Sequence, residues 1–360
     1  KDTNWLGQVE ENFAKDHPEY NITWKNDVVS EGDASKQVST DPSAAADVYM
    51  FASDQLGVLM DAKAIGQLGT DAEKQVKEQN GDLEVDSVTG TDGKLYGVPY
   101  TDNTWFMYYN KSKITEDEAK DFDTILSKAK VTFPLQNSWY INGFYDGLSL
   151  FGEKGNDADA GMVFPKDGAD ITSYLVDVVA NPNFSNDDGA SGLAAIKDGS
   201  ADVLFSGTWS AQDVKKALRG NYAATSLPTF TVNGQKKQMK SFAATKAAAY
   251  NPNAKNPKAA AQFAAYLGST EAQKLHYEMR AIPPTDKSLS DLTTDDIAAK
   301  AQADTMANTA LLQSGLSGMN DWWTPAETFG KALINKEITK DNAVAKYQDW
   351  IDQTKGTIAE

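Results

Sequence analysis

The stretch 20–51, YNITWKNDVVSEGDASKQVSTDPSAAADVYMF, decides the fold class. Tyr20, Ile22 and Trp24 alternate with Asn21, Thr23 and Lys25, which predicts a strand with one buried face. A polar helix is expected around 30–40. Asp41-Pro42 then turns the chain into an apolar run at 47–51 that predicts a buried strand. Upstream, Trp5, Val9 and Phe13 recur at helical spacing, with Asp2 and Thr3 as caps and His17-Pro18 as a stop. Helix, strand, helix and strand within about 50 residues argue for an α/β layer around a mostly parallel sheet.

The pattern continues downstream. Strands are expected at 93–100, 105–109, 131–133 and 201–206, and a hairpin at Asn233-Gly234. Helices are expected at 122–129, 140–150, 174–180, 193–197 and 210–219, and through most of the chain after Pro257. Residues 152–170, rich in Gly, Asp, Asn and Ala, read as a loop. A chain of 360 residues has room for about two domains. It carries no repeat and no low-complexity linker, so the domains are expected to be joined by several crossings.

Composition removes several classes of function. The formal net charge of -17 would repel a phosphate backbone, so nucleic acid is not an expected partner. Without cysteine there is no disulfide, iron–sulfur or zinc–thiolate chemistry. No apolar run reaches the roughly 18 residues of a membrane span. Hydrophobic residues make up 41% of the chain and aromatics 10%, too much for disorder. The sequence opens without a basic segment followed by an apolar one, and the lack of Cys suits an exported protein.

Catalytic signals are sparse. The sequence has no G-x-S-x-G, Walker, H-E-x-x-H or dinucleotide pattern. His17 and His276, the two histidines, are expected to be structural or at the surface. Residues 181–189 offer oxygen ligands without the spacing of a calcium loop, and neither metal nor cofactor is expected. A glycosidase needs only two well-spaced carboxylates, and 51 acidic residues leave that open.

The aromatics are more informative. The chain holds 8 Trp, 14 Tyr and 14 Phe, and three Trp clusters fall where strands give way to helices. These are Trp139 with Tyr140, Trp209, and Trp322 with Trp323. Neighbouring helical residues point about 100° apart, so Trp322 and Trp323 are not expected to share one buried face. Ligands of open α/β sheets sit beyond the carboxyl ends of the strands, so the clusters predict an aromatic cleft. Each Trp could instead plug a core. Aromatic faces cover the C–H surfaces of sugar rings, and Asp54, Asn103, Asn137 and Asp321, each near an aromatic in sequence, could take the hydroxyls.

The ordered segments 47–57 (DVYMFASDQLG), 93–100 (GKLYGVPY), 109–111 (YNK), 201–209 (ADVLFSGTW), 227–230 (LPTF) and the helical 256–273 resemble the extracellular solute-binding proteins of bacterial ABC sugar importers, specifically the maltose/maltodextrin branch. The resemblance implies a two-lobed periplasmic-binding-protein-like α/β fold of type II, with helices flanking the sheets and a ligand cleft between the lobes. It implies lobes of 1–102 plus 242–304 and of 103–241 plus 305–360, with crossings near 100–103, 239–242 and 305–309. Phe51, Asp54 and Gln55 match the strand-end sugar ligands, with Gln55 where arginine is common. Asn103, with Trp105 beside it, stands where glutamate is frequent. Asn137-Ser138-Trp139 matches a segment carrying glutamate and tyrosine, with Tyr140 adjoining. Trp209 and either Trp322 or Trp323, next to Asp321, match the sugar-stacking tryptophans. The family usually has a strand before its first helix, which here is either missing or ahead of Lys1. Gram-positive members carry a lipidated Cys upstream, which implies an anchored extracellular location, or a periplasmic one in a Gram-negative cell.

The implied function is a monomeric, non-enzymatic receptor outside the cell that closes on an oligosaccharide and hands it to permease subunits. Rival readings are a receptor for another oligosaccharide, a polyamine or a metal, a carboxylate-pair glycoside hydrolase, and a structural surface protein.

Overall fold

A computed structural model describes residues 3–360. The first helix, Thr3–Asp16, buries Trp5, Val9 and Phe13, as its spacing predicts; the Asp2 cap lies outside the described residues. Trp5 anchors the helix by donating its indole N–H to the Ala272 carbonyl at 2.9 Å. His276 stacks on the Trp5 ring at 3.9 Å, a buried structural histidine. Residues 21–30 form no strand. The Trp24 ring lies over Phe263 at 4.8 Å, so the alternation at 20–25 reflects a chain lying across helices, where no strand offers a ladder.

Two sheets organise the molecule. The spine of the first is Ser241–Tyr250. Val48–Ala52 pairs antiparallel along one edge, and Ala310–Leu312 pairs parallel farther along it. Val98–Thr104 pairs antiparallel on the opposite edge. The spine alanines Ala243, Ala244, Ala247, Ala248 and Ala249 are buried, and such small side chains let helices approach both faces closely. The second sheet runs in the order Phe184–Asn186, Val131–Phe133, Val203–Ser206, Phe106–Asn110 and Tyr222–Thr225. Its first three strands are parallel and its last two pairings antiparallel. The sheets are therefore mixed and not mostly parallel. The chain enters each sheet from the other one, and such a crossing fixes no common strand direction as a βαβ unit does.

Three crossings join the sheets. Thr104 pairs with Ala243 in the first, Phe106 pairs with Ser206 in the second, and Trp105 alone lies between. First-sheet pairing thus runs past the expected lobe boundary at 102–103. Gln238 closes the hairpin of Thr229–Val232 and Gln235–Gln238, and Ser241 already pairs with Ala310. That hairpin turns at Asn233 and Gly234, both at positive φ (49° and 78°), as the Asn-Gly pair predicts. The helix Ile297–Asn308 packs Ala298 and Ala301 into a core with Phe106, Tyr108 and Tyr222 of the second sheet, and the chain then returns to the first sheet at Ala310. Residues 297–304 accordingly lie against the second sheet, not only with the first lobe.

Residues 140–150 do not form the expected helix. A 3-10 turn, Ile141–Phe144, leads to the short strand Ser149–Leu150. Ile141, Phe144, Tyr145, Leu148 and Leu150 are all buried, so the segment has no polar face to give solvent and threads through the core. Within the expected loop at 152–170, Met162–Phe164 is a strand and the helix Gly168–Ala180 has begun. No helix among the described residues is long and apolar enough to cross a membrane.

Candidate ligand-binding site

The site is built around Trp139. The chain leaves Val131–Phe133 and turns at Asn137, whose side-chain oxygen accepts the Trp139 amide N–H at 2.8 Å. Two buried indoles hold the next carbonyls: Trp322 donates to Ser138 at 2.8 Å and Trp105 to Trp139 at 3.0 Å. Thus fixed, Trp139 remains half-buried, its ring centre 6.0 Å from that of Trp209 at 34°. Trp209 sits on the 3-10 turn Thr208–Ser210 after a second-sheet strand, and is 56% exposed. Its ring folds back over Gly207, where any Cβ would fall 2.1 Å from it.

The first sheet supplies Asp54, on the turn that follows Val48–Ala52. Gln313 bridges it to Trp139: the Gln313 amide nitrogen donates to Asp54 at 3.1 Å, and its oxygen accepts the Trp139 indole N–H at 2.7 Å. Burial raises the pKa of Asp54, against which the Gln313 hydrogen bond acts. Such a carboxyl binds its proton more tightly folded than unfolded, so it lowers stability once pH rises through its raised pKa, and costs nothing below the ordinary value. Asp54→Asn is therefore expected to raise the unfolding midpoint at neutral pH, with the gain fading as pH falls toward about 4 and absent below it. Thermal melts of both proteins across that range check this; a gain that persists in acid would contradict it.

Six expected ligand contacts need correction. Phe51 is fully buried under helices with Leu56, Leu59 and Val88, because both faces of its strand are covered. Trp105 is fully buried and stacks on Tyr140 at 4.8 Å, so both rings back the Trp139 segment from inside the core. Trp322 is fully buried against Phe164, Phe242 and Trp350. Trp323, by contrast, is half-buried with its edge to Phe242, which separates the two neighbours. Asp321 is drawn aside to Lys355 at 2.8 Å. Gln55 ties down the preceding loop, accepting the Ser35 N–H at 3.2 Å and donating to the Gly32 carbonyl. Asn103 is half-buried on its strand and Asn137 is exposed.

The residues the structure brings together are thus Asp54, Trp139, Trp209 and Gln313. The last was missed by sequence reasoning. It follows Leu311-Leu312 and precedes Ser314-Gly315, with no aromatic beside it and no motif around it.

Over residues 8–308 the chain matches the family described as bacterial extracellular solute-binding protein. A maltooligosaccharide ABC transporter solute-binding lipoprotein of Streptococcus pneumoniae is 28% identical over 325 residues, covering 82% of this chain and 74% of that protein. A galactooligosaccharide-binding protein of Bacillus subtilis is 27% identical, covering 78% and 70%. A structure solved with acarbose superposes with a TM-score of 0.89 at 43% identity, covering 97% of this chain and 94% of that one. A maltodextrin-binding protein of L. casei BL23 solved without ligand gives 0.89 at 26% identity, covering 98% and 95%.

Proposed function

The chain belongs to the bacterial extracellular solute-binding proteins, and on that premise we propose that it is the receptor of an ABC importer for maltodextrin-type oligosaccharides. One observation carries the reading: Trp139 and Trp209 of the second sheet lie side by side, and Gln313 links Trp139 to Asp54 of the first. Exposed indole faces suit the C–H faces of sugar rings, and the carboxylate and amides suit hydroxyls. Trp323, Asn103 and Asn137 extend the binding surface in this proposal.

A sugar touching groups from both lobes stabilises the closed arrangement by its differential contacts, and the three crossings serve as the hinge. The proposed lobes are 1–104 plus 241–296 with 310–312, and 106–238 plus 297–308 and 320–360. The role is binding without turnover, by a monomer that docks on permease subunits and is held outside the cell by a lipid anchor upstream. The maltooligosaccharide relative and the acarbose-bound structure support an α-glucan ligand, whereas the galactooligosaccharide relative favours a second sugar class. A thermal-shift panel decides between them, since a ligand raises the midpoint by mass action. Maltotriose and maltotetraose are expected to raise it and galactooligosaccharides to leave it unchanged; the reverse would move the assignment to galactosides.

A further inference from the structure

We propose that Gln313 is a positioning residue that makes the Trp139 sugar platform depend on the approach of the two lobes. The inference rests on the receptor reading above and adds a residue and a coupling to it.

The backbone of Gln313 continues a first-sheet strand, while its neighbour Ser314 donates its hydroxyl to the Gly155 carbonyl of the second lobe at 2.6 Å. The Gln313 N–H donates to the Ala243 carbonyl at 2.9 Å, directly after Ala310–Leu312. Two residues on, the Gly315 carbonyl accepts the Gly57 N–H at 2.7 Å. Its buried side chain reaches the other way, to the indole of Trp139 in the second lobe. The amide can sit only one way round. The indole N–H is a donor without acceptor capacity, so it must face the amide oxygen. An ionised carboxylate only accepts, so Asp54 must face the amide nitrogen. Flipping the amide would set donor against donor and acceptor against acceptor.

A residue here must therefore offer one donor and one acceptor at the reach of a glutamine. Methionine has the shape and neither group. Glutamate keeps the acceptor for the indole but sets two carboxylates together, which share a proton in acid and repel once both ionise. Moving the lobes apart takes the amide from Trp139 and frees the ring. Bringing them together holds the ring, already beside Trp209 on its own lobe, at the amide that also holds Asp54.

The test compares wild type, Gln313→Met and Gln313→Glu. The first readout needs no sugar: the indole N–H proton resonance of Trp139, assigned by its loss in Trp139→Phe. It is expected to move upfield in Gln313→Met and stay near its wild-type position in Gln313→Glu. The second readout is affinity for maltotriose. Gln313→Met is expected to bind about tenfold more weakly, the scale of lost buried hydrogen bonds. Gln313→Glu is expected to bind about tenfold more weakly at about pH 8 and close to wild type at about pH 5. A purely structural role would move the melting temperature without that change in pH profile. An unmoved resonance in Gln313→Met, affinity within about twofold of wild type, or a Gln313→Glu profile parallel to wild type each overturns the inference. If wild type itself binds no maltotriose, the receptor reading for that sugar fails and the coupling falls with it, which the wild-type titration shows separately.

Discussion

Trp209→Ala is expected to weaken maltotriose binding by roughly 30- to 200-fold while leaving the unfolding midpoint nearly unchanged. The two halves of this result have different causes. Trp209 is 56% exposed and lies on a short turn over Gly207, so its removal empties no core. A ligand ring seated on it would bury about half of the 150–250 Å² that an aromatic side chain can cover. At about 25 cal/mol/Å² that is roughly 2–3 kcal/mol, which gives the stated range. Calorimetric titration of the variant, with a thermal melt beside it, checks both. Affinity within about twofold of wild type would mean that the exposed indole does not meet the sugar.

The opposite result is expected for Trp322→Ala, a loss of stability of about 3–5 kcal/mol. Trp322 is fully buried, with ring centres of Trp350, Phe242 and Phe164 at 5.3, 5.7 and 6.0 Å. Alanine leaves a cavity there and strips the Ser138 carbonyl of its donor. Trp322→Phe separates these effects: most of the packing stays, and the orphaned carbonyl costs about 1–3 kcal/mol. Urea unfolding of both variants measures this. Trp323→Ala serves as the contrast, expected to weaken sugar binding with a smaller loss of stability. Equal destabilisation by the two alanine variants would contradict the assignment of one indole to the core and its neighbour to the cleft.

That pair also shows how far the sequence could be read. Trp322, Ala326, Phe329, Gly330 and Leu333 form the buried stripe of Asn320–Ile334, at helical spacing. The stripe was legible and marks Trp322 as the inward residue. The Trp-Trp cluster alone does not separate the two rings; the helical period does. Phe51 is a different case. Its strand is covered on both faces, Tyr49 and Phe51 against one core and Val48 and Met50 against another. The run 48–52 is therefore apolar throughout and shows no alternation that could separate a cleft-facing ring from a core one. Trp105 and Tyr140 stand close to Asn103 and Asn137 in sequence yet face inward, because both rings pack on each other and on Phe133 in the core of the second sheet. Gln313 was illegible for a plainer reason. Its partners Asp54 and Trp139 lie 259 and 174 residues away, and nothing local announces either contact. The two-lobed order, by contrast, was carried by many short segments whose sequence survives together, and the structural comparisons bear it out.

The most direct measurement is calorimetric titration of maltotriose into the wild-type protein with tryptophan fluorescence followed in parallel. Saturable binding at a single site is expected, with a dissociation constant of about a micromolar and a change in tryptophan emission as Trp139 and Trp209 are covered. No heat and no change in emission at millimolar sugar would contradict the account.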